Sequence, residues 1–211
     1  MFQRILNPDN PLMITMTHIT DCIFLSLFYM LGCFPVLTAG ASSTALYDAV
    51  YYGFRKKDKH SWQRFVISFR RNLKGSIPAL IPFLLVLGMI GYGILKVWNA
   101  AVYGNISWMM FSAAALVAVV VLGVLSVLFP LLSRFETTTA QLLKNTVFLS
   151  LANMPRTLCL GGIYAVSILL CARFIFPLFF LPALASLLST YLIEPMLRPY
   201  LPQEDEETAA E

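Results

Sequence analysis

Charge is what this chain has least of. Only 12% of its 211 residues are Asp, Glu, Lys or Arg, against about 25% in an ordinary soluble domain. Half the usual charge cannot cover a water-soluble fold of this size, so much of the exterior must face lipid. Histidine is scarcer still. His18 and His60 stand alone, one at the end of an apolar run and one in a basic loop, and read as interfacial polar groups. The four cysteines, Cys22, Cys33, Cys159 and Cys171, sit inside or at the ends of apolar runs, with no CxxC and no Cys/His grouping. That gives little support to a disulfide framework or a metal site and favours small buried hydrophobes. Neither a GxxxxGK[ST] loop nor an HExxH pair occurs, so phosphate-loop ATP binding and zinc hydrolysis have no residues to carry them. No nucleophile–base constellation stands out either, and an enzyme is not expected. Catalytic, cofactor and metal sites are all read as none.

What the sequence does have is apolar length, with 58% hydrophobic residues. The fold expected is all-α: a polytopic transmembrane bundle of five to six spans, in one membrane domain over 1–198. The spans read as 15–34, 40–55, 76–98, 108–132, 158–172 and 174–193, and residues 199–211 as a disordered acidic tail. A lipid-facing backbone must satisfy its own hydrogen bonds, so these spans should be helices. The apolar pattern runs on to residue 193 and the start lacks a basic cluster, which argues against a cleaved signal.

Basic residues set the orientation. Arg55, Lys56, Lys57, Lys59, Arg64, Arg70, Arg71 and Lys74 all fall in 54–74, which should therefore be cytoplasmic, as should 133–157 and the C-terminus. Within that stretch Trp62, Phe65, Val66, Phe69 and Leu73 recur on one helical face, away from most of the arginines. This predicts an amphipathic helix against the anionic inner leaflet rather than a nucleic-acid interface.

The segment 40–55 is the ambiguous one. Pro35 and Gly40 punctuate a reversal, and Ala41, Thr44, Ala45 and Ala49 form a small-residue face that permits close backbone approach. At 1.5 Å per residue the arm spans only about 24 Å, so it should be a short return arm shielded by neighbouring helices. Equal depths along such a hairpin predict a contact from Asp21 to Arg55 or Lys56. The candidate polar positions are Asp21, Asp48, Arg55, Lys56, Arg134 and Glu136, the last two as an interfacial ion network. Glu194 reads as an interfacial carboxylate. Gly91 and Gly93 of "GYG" read as helix-packing glycines rather than an ion filter.

Four blocks carry a family likeness: "NPDNPLM", "PVLTAGASSTALY", "FRRNLK" and "FPLLSRFE…LLKNTVFLSLANMPRTL". Together they resemble the YesL-type bacterial integral membrane proteins, a domain-of-unknown-function family, over residues 1–198. The resemblance implies a polytopic protein of the bacterial cytoplasmic membrane, associated with carbohydrate uptake and working beside a membrane transporter. It carries over no catalytic residue. Asp48, with the prolines that interrupt the apolar runs (Pro78, Pro82, Pro177, Pro182), keeps a small transporter or channel open as the other class.

Overall fold

The computed structural model describes residues 11–56, 60–104, 108–135 and 138–200. Among them all regular structure is helical: α1 (Pro11–Cys33), α2 (Ala39–Val50), α3 (Ser61–Val102), α4 (Trp108–Arg134), α5 (Thr139–Ala152), α6 (Met154–Arg173) and α7 (Leu181–Leu197). Three of these, α3, α4 and α6, are long and apolar enough to cross a membrane. The acidic tail beyond Tyr200 lies outside the described residues.

The chain does reverse after α1. A 3-10 turn, Val36–Thr38, is locked by the Thr38 hydroxyl, which donates to the carbonyls of Gly32 (2.6 Å) and Pro35 (2.8 Å). Those bonds satisfy acceptors that a helix end leaves open. α2 then runs back along α1. A Cβ on Gly32 would collide with the Ser42 side chain, and Leu25 shares a core with Ala45 and Ala49. Nearly all of α2 is buried, and the small face read from the sequence (Ala41, Thr44, Ala45, Ala49) is wholly inside.

α2 is sheathed by the first half of α3, along which it lies antiparallel. Gly40 meets Ser76 at one end and Gly53 meets Ser61 at the other. The basic stretch is therefore not a separate amphipathic helix. It is continuous with the expected 76–98 span in a single 42-residue helix. Its apolar face is divided: Phe65 is buried against α1 and α2, with its ring 5.9 Å from that of Phe28, while Trp62 at the edge stays half-exposed. Beyond Leu80 the helix is mostly uncovered, presenting Ile81, Leu85, Met89, Tyr92 and Leu95, the surface lipid tails solvate well. Gly91 and Gly93 open onto that surface with no neighbour near their Cα hydrogens, so packing within this chain does not explain them. α3 ends where Gly104 adopts φ 74°, the left-handed turn a Cβ would strain.

α4 returns beside α3 (Phe83 and Phe129 rings 4.8 Å apart) and crosses α6 through two glycines, Gly123 and Gly161. The last expected span is shorter than read. Residues 174–180 form an exposed connection containing a 3-10 turn, and α7 starts only at Leu181. Two cores result. One gathers Tyr47, Leu80, Val127, Leu128, Leu160 and Ile193; the other gathers Leu25, Ala45, Val50, Phe65 and Ala183. α2 lies between them and contributes to both.

Candidate functional site

Charge collects where α2 ends. Tyr47, Asp48, Tyr51, Tyr52 and Arg55 follow one another at one-turn spacing, so they share a face. At Tyr51–Arg55 the helix widens into a π turn, with the Lys56 N–H donating to the Tyr51 carbonyl five residues back at 3.4 Å. Such turns concentrate at functional sites because they re-aim side chains without ending the helix. Here the two rings stand edge to face, centroids 5.2 Å apart, and offer separate faces.

Cations cover those faces. Arg134, the last residue of α4, sits over Tyr51 with its guanidinium carbon 4.0 Å from the ring centroid. Its Nη2 donates to Glu194 Oε1 at 2.9 Å and its Nη1 to the Tyr52 hydroxyl at 3.2 Å; the Tyr47 hydroxyl donates to the same Oε1 at 3.0 Å. Arg64, from the first turn of α3, covers Tyr52 at 3.7 Å, and its Nε lies 3.8 Å from Asp48 Oδ2. Arg55 donates from Nη1 to the Thr190 carbonyl at 3.2 Å and lies 4.9 Å from the Tyr191 ring. The Lys56 ammonium is 5.5 Å from Tyr52.

The Arg134–Glu194 pair is the buried centre, its side chains only 9% and 11% exposed. Removing two such charges from water costs several kcal/mol per ion. Charge-assisted hydrogen bonds and the Tyr51 face offset that cost. The pair joins α4 to α7, and Tyr47 brings in α2, so one node fixes three helices. Among the described residues four cations stand against two carboxylates, and Arg55 and Lys56 remain toward the surface. Such an arrangement holds charge in place and displays it.

Four of the six candidate positions come together here: Asp48, Arg55, Lys56 and Arg134. Glu136 lies outside the described residues; the carboxylate on Arg134 is Glu194. Asp21 sits elsewhere, in the wall of a cavity with Phe24, Leu25, Phe28, Ser61 and Trp62, while Arg55 turns to α7 and Lys56 to the tyrosines. Sequence reading takes Tyr47 and Tyr51, with Val50 and Phe54, as an apolar-aromatic face of 40–55 and does not single out Tyr52; Arg64 reads only as part of the basic stretch and Glu194 only as an interfacial carboxylate. The available signal was Glu194 itself, a single carboxylate in an apolar helix, which needs a partner in lipid or protein.

A family model described as a protein of unknown function, DUF624, matches residues 12–94. That region holds α1, α2, the π turn and most of α3, hence Tyr47 to Arg64, but neither Arg134 nor Glu194. No curated protein and no solved structure matches the chain.

Proposed function

We propose that the chain is a non-catalytic, multi-pass protein of the bacterial cytoplasmic membrane, an accessory component of oligosaccharide uptake that acts on a membrane transporter. The observation that carries this reading is the division of labour at the π turn. The buried charges, Arg134 and Glu194, hold helices together, whereas Arg55 and Lys56 stay at the surface beside the basic half of α3. A static clamp with displayed cations suits docking better than passage of a solute. The carbohydrate connection comes from the YesL-type resemblance alone.

In this reading α1 and α2 are a hairpin with its turn toward the outer face, giving six crossings and placing Met1, 54–74, 133–157 and the C-terminus in the cytosol. Support comes from the reversal at Val36–Thr38 and from the burial of α2, which at about 25 Å including the π turn is short for ~30 Å of hydrocarbon and needs protein around it. A tag on Met1 reachable only from outside intact cells would refute this topology.

Purification in a mild non-ionic detergent tests the function. The expected result is co-purification of an oligosaccharide permease, lost when Arg55 and Lys56 are both changed to Glu. A transporter acting alone is favoured by Asp48, a carboxylate only 4% exposed within the bundle. Vesicles holding this protein alone distinguish the two. Solute flux that disappears in Asp48→Ala would replace the accessory role with the transporter.

A further inference from the structure

One face of α7 leads from apolar surface into the tyrosine–cation cluster. Leu184, Leu188 and Tyr191 recur at i, i+4 and i+7 and are exposed, while Ala185, Ser189 and Thr190 beside them are buried. The stripe covers about 10 Å of helix. At its C-terminal end stands Arg55, fixed from two sides. Its Nη1 donates to the Thr190 carbonyl at 3.2 Å, and its guanidinium carbon lies 4.9 Å from the Tyr191 ring centroid. The Lys56 ammonium follows, 6.0 Å from Tyr51 and 5.5 Å from Tyr52. An apolar track thus ends on two cations.

The described side chains do not balance the charge at that end. Arg55, Lys56, Arg64 and Arg134 stand against Asp48 and Glu194, an excess of two positive charges. Lys57, Asp58, Lys59 and Glu136, the charged sequence neighbours outside the described residues, bring two charges of each sign and leave that excess as it is. Among the described residues the two ion pairs engage Arg64 and Arg134, and no carboxylate pairs with Arg55 or Lys56. Like charges this close repel, and an anion placed among them offsets the repulsion.

The class of anion follows from what adjoins the cations. A soluble phosphate makes no use of an apolar track. A phospholipid lays an acyl chain along it while its phosphate accepts charge-assisted hydrogen bonds from Arg55 and Lys56. A zwitterionic headgroup would bring an ammonium into a cationic cluster, so the lipid is one of net negative charge. We propose that Arg55, Lys56 and the Leu184–Leu188–Tyr191 stripe hold one anionic phospholipid, its headgroup on the cations and an acyl chain on α7. This rests on the membrane placement in the proposed function, with Arg55 at the inner leaflet, and not on a permease.

The test uses native mass spectrometry of the full chain in dodecyl maltoside, with dioleoylphosphatidylglycerol and dioleoylphosphatidylcholine added at equal concentration. Phosphatidylglycerol should be retained about tenfold more than phosphatidylcholine. Arg55→Gln should cut that preference about threefold, and Arg55→Gln with Lys56→Gln should abolish it, whereas Lys74→Gln, at the far end of the basic half of α3, leaves it unaltered. Leu188→Asn should lower retained phosphatidylglycerol about threefold with the charges intact. Should Arg55→Gln not fold by circular dichroism, Lys56→Gln serves instead. Sodium phosphate titrated against sodium chloride at equal ionic strength should not displace the lipid; displacement at millimolar phosphate would make this a soluble-phosphate site and overturn the proposal. A preference that appears only in a chain ending at Pro202 would mean that the acidic C-terminal segment fills the site, and overturns it too. So does equal retention of both lipids, an undiminished preference in the folded double variant, or an equal loss in Lys74→Gln. These outcomes in a chain that still needs detergent leave the membrane placement standing; recovery of the chain without detergent removes that placement as well.

Discussion

Two helix seams in this protein depend on glycine, and they differ in what the glycine faces. Along the α2–α3 seam the close neighbours are largely serine side chains: a Cβ on Gly53 would strike the Ser61 hydroxyl, and one on Gly40 would crowd Ser76 and the Phe129 ring. At the α4–α6 crossing they are backbone. Gly123 lies against the Thr157 carbonyl and Gly161 against that of Val119, a reciprocal arrangement four residues apart on each helix. Hydroxyls rotate; carbonyls in a helix do not. The first seam can therefore yield locally, whereas the second yields only if whole helices separate. Small residues at an apolar interface are thus not one device but two.

Arg134 ties the seams together, since it ends α4 and rests on Tyr51 at the end of the α2 seam, so breaking its ion pair should have the largest effect. Glu194→Gln or Arg134→Met alone should cost about 3–5 kcal/mol, because a buried charge is left unpaired. The double replacement Arg134→Met with Glu194→Leu should recover most of the loss. Unfolding in detergent followed by circular dichroism measures both; a double variant no better than the singles would mean that the node contributes more than paired charge. Next comes Gly161→Ala, expected to destabilise by about 1–3 kcal/mol through forced separation at the crossing. Gly123→Ala added to it should cost less than a second full increment, as both open one contact.

Gly53→Ala should be milder, near 1 kcal/mol by the same overpacking argument, and Ser61→Gly should restore it. No serine-to-glycine change has an equivalent at the α4–α6 crossing. If Thr157→Gly rescues Gly123→Ala as fully as Ser61→Gly rescues Gly53→Ala, the distinction between side-chain and backbone neighbours fails. The smallest change is expected at Gly88 and Gly91, where a methyl meets open space. Alanine there should stabilise by no more than about 1 kcal/mol, the ordinary helix-propensity gain.

How much of this was legible depends on the distance over which each feature acts. The small face of α2 was readable because Ala41, Thr44, Ala45 and Ala49 repeat within one helix. The reversal was readable from Pro35, whereas Gly40, read as part of the turn, lies inside α2 against Ser76 and Phe129. The tyrosines misled, since spacing alone marks Tyr47 and Tyr51 as apolar bulk and cannot reveal that Glu194, 147 residues from Tyr47, supplies an acceptor. Arg134 was singled out from the sequence together with its chain neighbour Glu136, which lies outside the described residues; that Glu194 of α7 also reaches it is a tertiary fact. Phe65 was read as lipid-facing because its helix is amphipathic; its cover, α1 and α2, is a tertiary fact. The continuity of α3 was hidden by the change in composition near Lys74, where charge gives way to hydrocarbon without a break in the backbone.

That continuity has a mechanical meaning. A helix of 42 residues reaches about 63 Å, twice what a bilayer core holds. One half is gripped by α2 from Ser61 to Ser76; the other, apolar and largely exposed with α4 beside it, is long enough to cross a bilayer. Pro78 and Pro82 fall at the joint and remove two rungs of the hydrogen-bond ladder there. The rod is softest at the boundary between its protein-held and its exposed apolar parts, the point at which the apolar half can re-angle while the cationic end stays where it is.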